Sequence, residues 1–300
     1  MNPVTEWTSA EAYEAAKRSR RQKREQLIAR LDSELAFDLS ARLRKCGQKV
    51  SMLCTNCGTR RDCETRCDIK WCPSCAQALA ARTVTRYQSL VSEAQWPLFV
   101  TWTTENYSEP SVRPLRRAWG KLRRLRWFRR AIRGGVTAFE CTNRGKGWHW
   151  HAHSLVDCKW LAVAVPEPGP LATKDTWRSR GKAACLEVAE QWGLCTGRRS
   201  SVKVRRVWKR DQGDVTDACK EVLKYSVSSE SLLSSPEPIA DALRLLDGTR
   251  LVTSFGSFFG KGAKREKRPA KPCPCGCTEL VPDFLVPRTR GYKGRDRVTY

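Results

Sequence analysis

The sequence predicts an α+β chain, strands that include an antiparallel hairpin with helices between them, joined to a small N-terminal zinc-binding module. Three observations predict it: β-branched and aromatic runs alternate with helical periodicity, every histidine falls in one alternating segment, and cysteines crowd one early stretch. In 300 residues, 56 Lys+Arg stand against 31 Asp+Glu, and the formal net charge of +25 asks for a polyanionic partner. Hydrophobic residues make up 40% and include 12 Trp, enough apolar mass for a core, which excludes a wholly disordered basic protein. No apolar run reaches the roughly 18 residues of a bilayer span. The opening MNPVTEWTSA lacks a signal peptide's apolar stretch, so a cytoplasmic protein without a membrane partner is expected.

Residues 1–45 read as a basic amphipathic helical segment. Leu27, Leu31, Leu35, Leu39 and Leu43 recur at steps of four, and six of the eight residues 17–24 are basic. A solvated helix packed on its neighbour explains this as well as DNA contact does. Residues 46–94 form a Cys-rich zinc-binding module and a following helix, starting near residue 76. Residues 95–260 form the main domain. Within it residues 98–104 (LFVTWTT) predict a strand, and residues 113–133 a basic helix in which ten of twenty-one positions are Lys or Arg and none is acidic. Residues 135–143 (GVTAFECTN) and 148–158 (WHWHAHSLVDC) read as an antiparallel hairpin around a Gly-rich loop. Helices are expected over 175–192 and 213–226, and a strand over 201–208. The compact part ends near Gly260, leaving residues 261–300 as a basic, Cys-containing tail.

Three constellations carry chemistry. His149, His151 and His153, all the histidines of the chain, are separated by one residue each. On a strand they share a face, where imidazoles can close on one divalent ion, while Trp148, Trp150, Ala152 and Val156 take the other face. Glu140 joins them if the hairpin pairs it with His149 or His151, and a one-residue slip turns it away. Next, Glu221 and Tyr225 stand four apart on a helix, a commonplace pair that gains meaning only beside the histidines. Third, Cys54-x2-Cys57-x14-Cys72-x2-Cys75 spaces two knuckles for a closed tetrahedral Zn²⁺ site. Cys46, Cys63 and Cys67 leave a swapped ligand or a second site open, as do Cys273, Cys275 and Cys277. The five scattered cysteines, Cys141, Cys158, Cys185, Cys195 and Cys219, are simplest as core residues.

Taken together, residues 99–104 (FVTWTT), 138–142 (AFECT), 147–155 (GWHWHAHSL), 220–225 (KEVLKY) and 250–256 (RLVTSFG) resemble the plasmid rolling-circle replication initiators of the HUH endonuclease superfamily, one-tyrosine subgroup. The resemblance covers roughly residues 46–260, and Ala152 is smaller than that family prefers between its histidines. It implies an α+β fold with an HUH-type central antiparallel sheet and helices packed on one side, in a prokaryotic, plasmid-associated enzyme. His151 and His153, with Glu140 and His149, would hold a catalytic Mg²⁺ or Mn²⁺. Tyr225 would nick single-stranded DNA at a replication origin through a 5′-phosphotyrosine, leaving a 3′-OH primer, and Glu221 would serve the terminating cleavage. Arg116, Arg117, Arg123, Arg124 and Arg130 would bind phosphates, and host helicase and polymerase would be further partners. The competing readings are an HUH-class insertion-sequence transposase and a non-enzymatic zinc-dependent DNA-binding regulator.

Overall fold

Helical and extended stretches alternate along the chain much as the residue periodicities require. The structure, a computed structural model, describes residues 10–143, 145–207, 212–223, 232–262, 275–276 and 280–282. In order the elements are α1 (Ala10–Ser33), α2 (Phe37–Arg44), β1 (Lys49–Cys54), β2 (Arg60–Glu64), α3 (Pro73–Glu93), β3 (Pro97–Thr104), α4 (Arg113–Leu122), α5 (Arg126–Ala131), β4 (Gly134–Asn143), β5 (Trp148–Asp157), α6 (Lys174–Thr196), β6 (Ser200–Arg206), α7 (Gln212–Leu223), α8 (Ala240–Leu246), β7 (Val252–Gly256) and β8 (Leu280–Pro282). None of the described helices is long and apolar enough to cross a membrane.

A five-stranded sheet in the order β6-β3-β5-β4-β7 is antiparallel throughout. Because side chains alternate along a strand, directly opposed residues share a face. On one face Trp102, Ala152 and Phe139 line up across three strands. There Trp102 meets Trp119 of α4 at 5.6 Å and Trp192 of α6 at 5.8 Å, edge-on in both cases. Leu115 and Leu122 of α4 and Phe128 of α5 complete this buried aromatic core. On the other face Phe99, Ala138 and Leu155 are buried against Val84, Tyr87 and Val91 of α3 and Val215, Ala218, Cys219 and Val222 of α7. Helices thus pack on both faces, not on one side as the resemblance implies, because β3, β4 and β5 also carry buried apolar residues on the second face, Phe99, Val136, Ala138 and Leu155.

The leucine row over 11–45 does not run through one helix. Leu35 adopts φ 57° and is 74% exposed, and the Ala36 amide bonds back to the Leu31 carbonyl at 2.8 Å. This is a left-handed C-terminal cap with leucine where glycine is usual. It turns the chain so that Leu39 and Leu43 are buried in the same cluster as Leu27 and Leu31. The basic helix over 113–133 is likewise two, α4 and α5, broken at residues 123–125. A second sheet, β2-β1-β8, brings the tail back onto the Cys-rich module, past the end of the compact part expected near Gly260.

Trp192 is fully buried, so Trp192→Ala should lower stability by about 3–5 kcal/mol through lost transfer energy and a residual cavity. Leu194, two residues on and 77% exposed, should change it by no more than about 0.5 kcal/mol when made Ala. Urea unfolding midpoints check both, and equal losses would refute the assignment of this core.

Candidate metal centres

The β4–β5 register pairs Glu140 with His151 and Ala138 with His153, which turns the carboxylate and both imidazoles to the face covered by α3 and α7. Glu140 Oε2 lies 2.9 Å from His153 Nε2 and 3.5 Å from His151 Nε2, and the three side chains are 16–21% exposed. Burial alone would raise the Glu140 carboxyl, but hydrogen bonds and charge interactions with the two histidines outweigh it and hold it at about 2. The group is therefore an anion with two nitrogen donors converging on one oxygen. One ligand atom from each of the three residues lies within 4.8 Å of the others, a set that could hold a divalent ion.

Neighbouring strands orient this group. Thr101 and Thr103 of β3 pair with His153 and His151, and Thr101 Oγ1 stands 3.2 Å from His153 Nδ1, leaving Nε2 to face Glu140. Such a partner on the far nitrogen fixes ring orientation. Phe99 stacks on His153 at 5.7 Å between ring centroids. Beyond them β6 pairs Lys203 with Thr101 and Arg205 with Phe99, and both cations are exposed. Residues 201–206 read SVKVRR, and their alternation is the signal that could have found this pair: Lys203 and Arg205 share a face.

His149 stands outside the group. Its Nδ1–H donates to Asn106 Oδ1 at 2.7 Å, so it flanks the site. Glu221, on α7, pairs with Arg205, while the neighbouring Lys220 bonds Asp217 at 3.2 Å. Glu221 thus sits at the rim of the histidine face. Tyr225 lies outside the described residues. The arginines expected to bind phosphate are on the opposite layer, since α4 packs on the tryptophan face. Arg116, Arg117, Arg124 and Arg130 are exposed there, whereas Arg123 is half-buried: its guanidinium lies 5.4 Å above the Phe255 ring, and burial lowers its pKa.

The cysteine knuckles separate. Cys72 and Cys75 join Cys46 and Cys67, whereas Cys54 and Cys57 meet Cys275. The expected set of Cys54, Cys57, Cys72 and Cys75 fails because β1 carries the first knuckle away. Its six residues rise about 3.3 Å each, which puts Cys54 roughly 17 Å along the hairpin from the strand's start beside Cys46. In the first group Cys46–Cys75, Cys67–Cys75 and Cys46–Cys72 sulfur separations are all 3.6 Å. Tetrahedral zinc with Zn–S near 2.3 Å needs about 3.8 Å between sulfurs. Hydrogen bonds from Cys67, Cys72 and Cys75 hold the Cys46 thiol below its ordinary pKa, while the same contacts with Cys46 raise Cys67 and Cys72. Cys72 is also the residue capping the start of α3, where the helix dipole favours negative charge. By contrast, Cys141, Cys158, Cys195 and Cys219 are buried and Cys185 is half-buried. Burial pushes the Cys158 and Cys219 thiols up to about 12, as inert core residues should be.

No family model, curated protein or solved structure matches this chain.

Thr101→Val should lower Mn²⁺ affinity about tenfold with the fold intact, the usual cost of removing a partner behind a ligand. Titration followed by the electron spin resonance of unbound Mn²⁺ measures it, and unchanged affinity would refute the orienting role. Cys46→Ser and Cys67→Ser should each lose the same zinc equivalent as Cys72→Ser, read by elemental analysis; full zinc in either variant would break the four-cysteine assignment.

Proposed function

We propose that this chain is a metal-dependent DNA-nicking and -joining enzyme with an HUH-type fold, working as a rolling-circle replication initiator. The observation that supports it best is the convergence of Glu140, His151 and His153 on one sheet face. That face is bordered by the exposed cations Lys203 and Arg205 and covered by α7, the helix whose sequence leads to Tyr225. The chain's net charge of +25 supports a polyanionic substrate.

Glu140, His151 and His153 would hold Mg²⁺ or Mn²⁺, with Thr101 orienting His153. An ion held there would supply charge neutralisation at the scissile phosphate. Lys203 and Arg205, beside the ligands, grip the flanking phosphates without reading bases. The Tyr225 phenol attacks phosphorus, an O–P bond to the tyrosine forms, the bond to the 3′ oxygen breaks, and the 3′-OH is left to prime synthesis. Because the phosphoester is conserved on the protein, the strand can later be rejoined. Glu221, ion-paired to Arg205 at the rim, is released when phosphate takes that arginine. It then serves as the base for a terminating hydrolysis.

The test is purified protein, Mn²⁺ and a labelled single-stranded origin. A covalent protein–DNA band should form, and Tyr225→Phe should abolish it, whereas Glu221→Gln should nick but fail to release terminated product. No band with the unmodified protein would leave the zinc-dependent regulator, and strand transfer into a target instead of origin-dependent circles would leave the transposase. Lys203→Ala/Arg205→Ala should slow cleavage at least tenfold and flatten its salt dependence. Arg116→Ala/Arg117→Ala, on the opposite layer, should leave the single-turnover rate within about twofold, and the reverse ranking would sink this view of the DNA path.

A further inference from the structure

We propose that Cys54, Cys57 and Cys275 form a second structural zinc site that fastens the C-terminal segment to the β1–β2 hairpin. The Cys54 and Cys275 sulfurs stand 3.7 Å apart. A disulfide requires about 2.05 Å, whereas two thiolates sharing tetrahedral zinc stand about 3.8 Å apart. One sulfur from each of the three residues lies within 4.8 Å of the others. Water or a further thiol completes the tetrahedron.

The backbone on both sides is shaped for such a site. The Gly58 amide bonds the Cys54 carbonyl at 2.9 Å, and the Cys54 amide bonds the Thr59 carbonyl at 2.9 Å, closing a tight turn around Cys57. Gly58 follows Cys57 with φ 71°, and Gly276 follows Cys275 with φ 84°. Both positions are left-handed, where glycine carries no Cβ penalty. Asn56 Nδ2 donates toward Cys275 Sγ at 3.8 Å.

Little else joins the hairpin to the C-terminal segment among the described residues. Every residue of β2 is exposed or half-buried, and only Leu53 and Cys54 of β1 are buried, so the hairpin has almost no core of its own. β8 supplies three residues, pairing Met52 with Pro282, Leu53 with Val281 and Cys54 with Leu280. Three residues of edge strand do not hold themselves in place. Cys54 and Cys275 are 221 positions apart in sequence, so an ion bridging them closes a very long loop in the unfolded chain and stabilises by that restriction.

The experiment is zinc content of the full chain, purified reduced, against variants. Cys275→Ser should lose one equivalent and Cys46→Ser one, with the double variant losing two. Cys275→His, which offers another zinc ligand, should regain the equivalent. Far-UV circular dichroism of Cys275→Ser should match that of the unmodified chain. Full zinc in Cys275→Ser would overturn the proposal. So would loss of both equivalents from that single change, or an intact mass two hydrogens low with Cys54 and Cys275 linked.

Discussion

The register of the β4–β5 hairpin is the constraint from which the rest follows. Ten successive pairs from Gly134–Asp157 to Asn143–Trp148 hold it, and the period of two converts that register into chemistry. With Glu140 opposite His151, the polar trio shares a face, and Trp148, Trp150 and Ala152 go to the other, where each is at most 4% exposed. A slip of one residue would bury the histidines among tryptophans and expose the indoles. The apolar core therefore specifies the polar site: moving the ligands costs the burial of the aromatic layer.

α3 ties the cysteine cluster to that face. Its first turn supplies Cys72 and Cys75, and its body supplies Val84, Tyr87 and Val91 to the layer over the histidines. There it meets α7, and Gln88 Nε2 donates to Thr216 Oγ1 at 2.6 Å. An ion at the cysteines would fix the start of α3, a rigid helix would carry that position along the sheet, and α7 would be set against it. The four thiols are then a structural device with an indirect claim on function, since they set where the helix bearing Glu221 lies. They also share one continuous buried cluster with Trp102 and Trp150, so the module rests on the main core.

Much of this was legible in the sequence, because the informative periods are short. The alternation in WHWHAHSLV states both faces of β5, and the hairpin places Glu140 within reach of the histidines. What could not be read were events that periodicity does not encode. Leu35 continues the leucine row, yet it takes the left-handed conformation that ends α1, and no glycine marks the place. The knuckle spacing is compatible with one zinc site, but spacing says nothing of the strand between the knuckles. Cys275 joins Cys54 only through the pairing of β8 with β1, a contact between ends of the chain. Thr101 is visible as part of a threonine-rich strand, and its use behind His153 appears once β3 is known to lie beside β5.

The donor set by itself does not choose a reaction. Two imidazoles and one carboxylate at an accessible point also describe sites that bind ferrous iron and activate oxygen. The surroundings favour the proposed reading over the second. An oxygen-activating site takes a small organic substrate into a largely apolar enclosure, whereas this face is bordered by an open edge strand presenting Lys203 and Arg205 to solvent. Arg205 is held by Glu221 and stacks over Phe99 at 5.0 Å, so a cation is positioned near the ligands but balanced by an anion that a phosphate can replace. That arrangement suits a polyanion sliding along the sheet edge. On the proposed function, Glu221 would be held with its charge neutralised by Arg205 until the strand arrives.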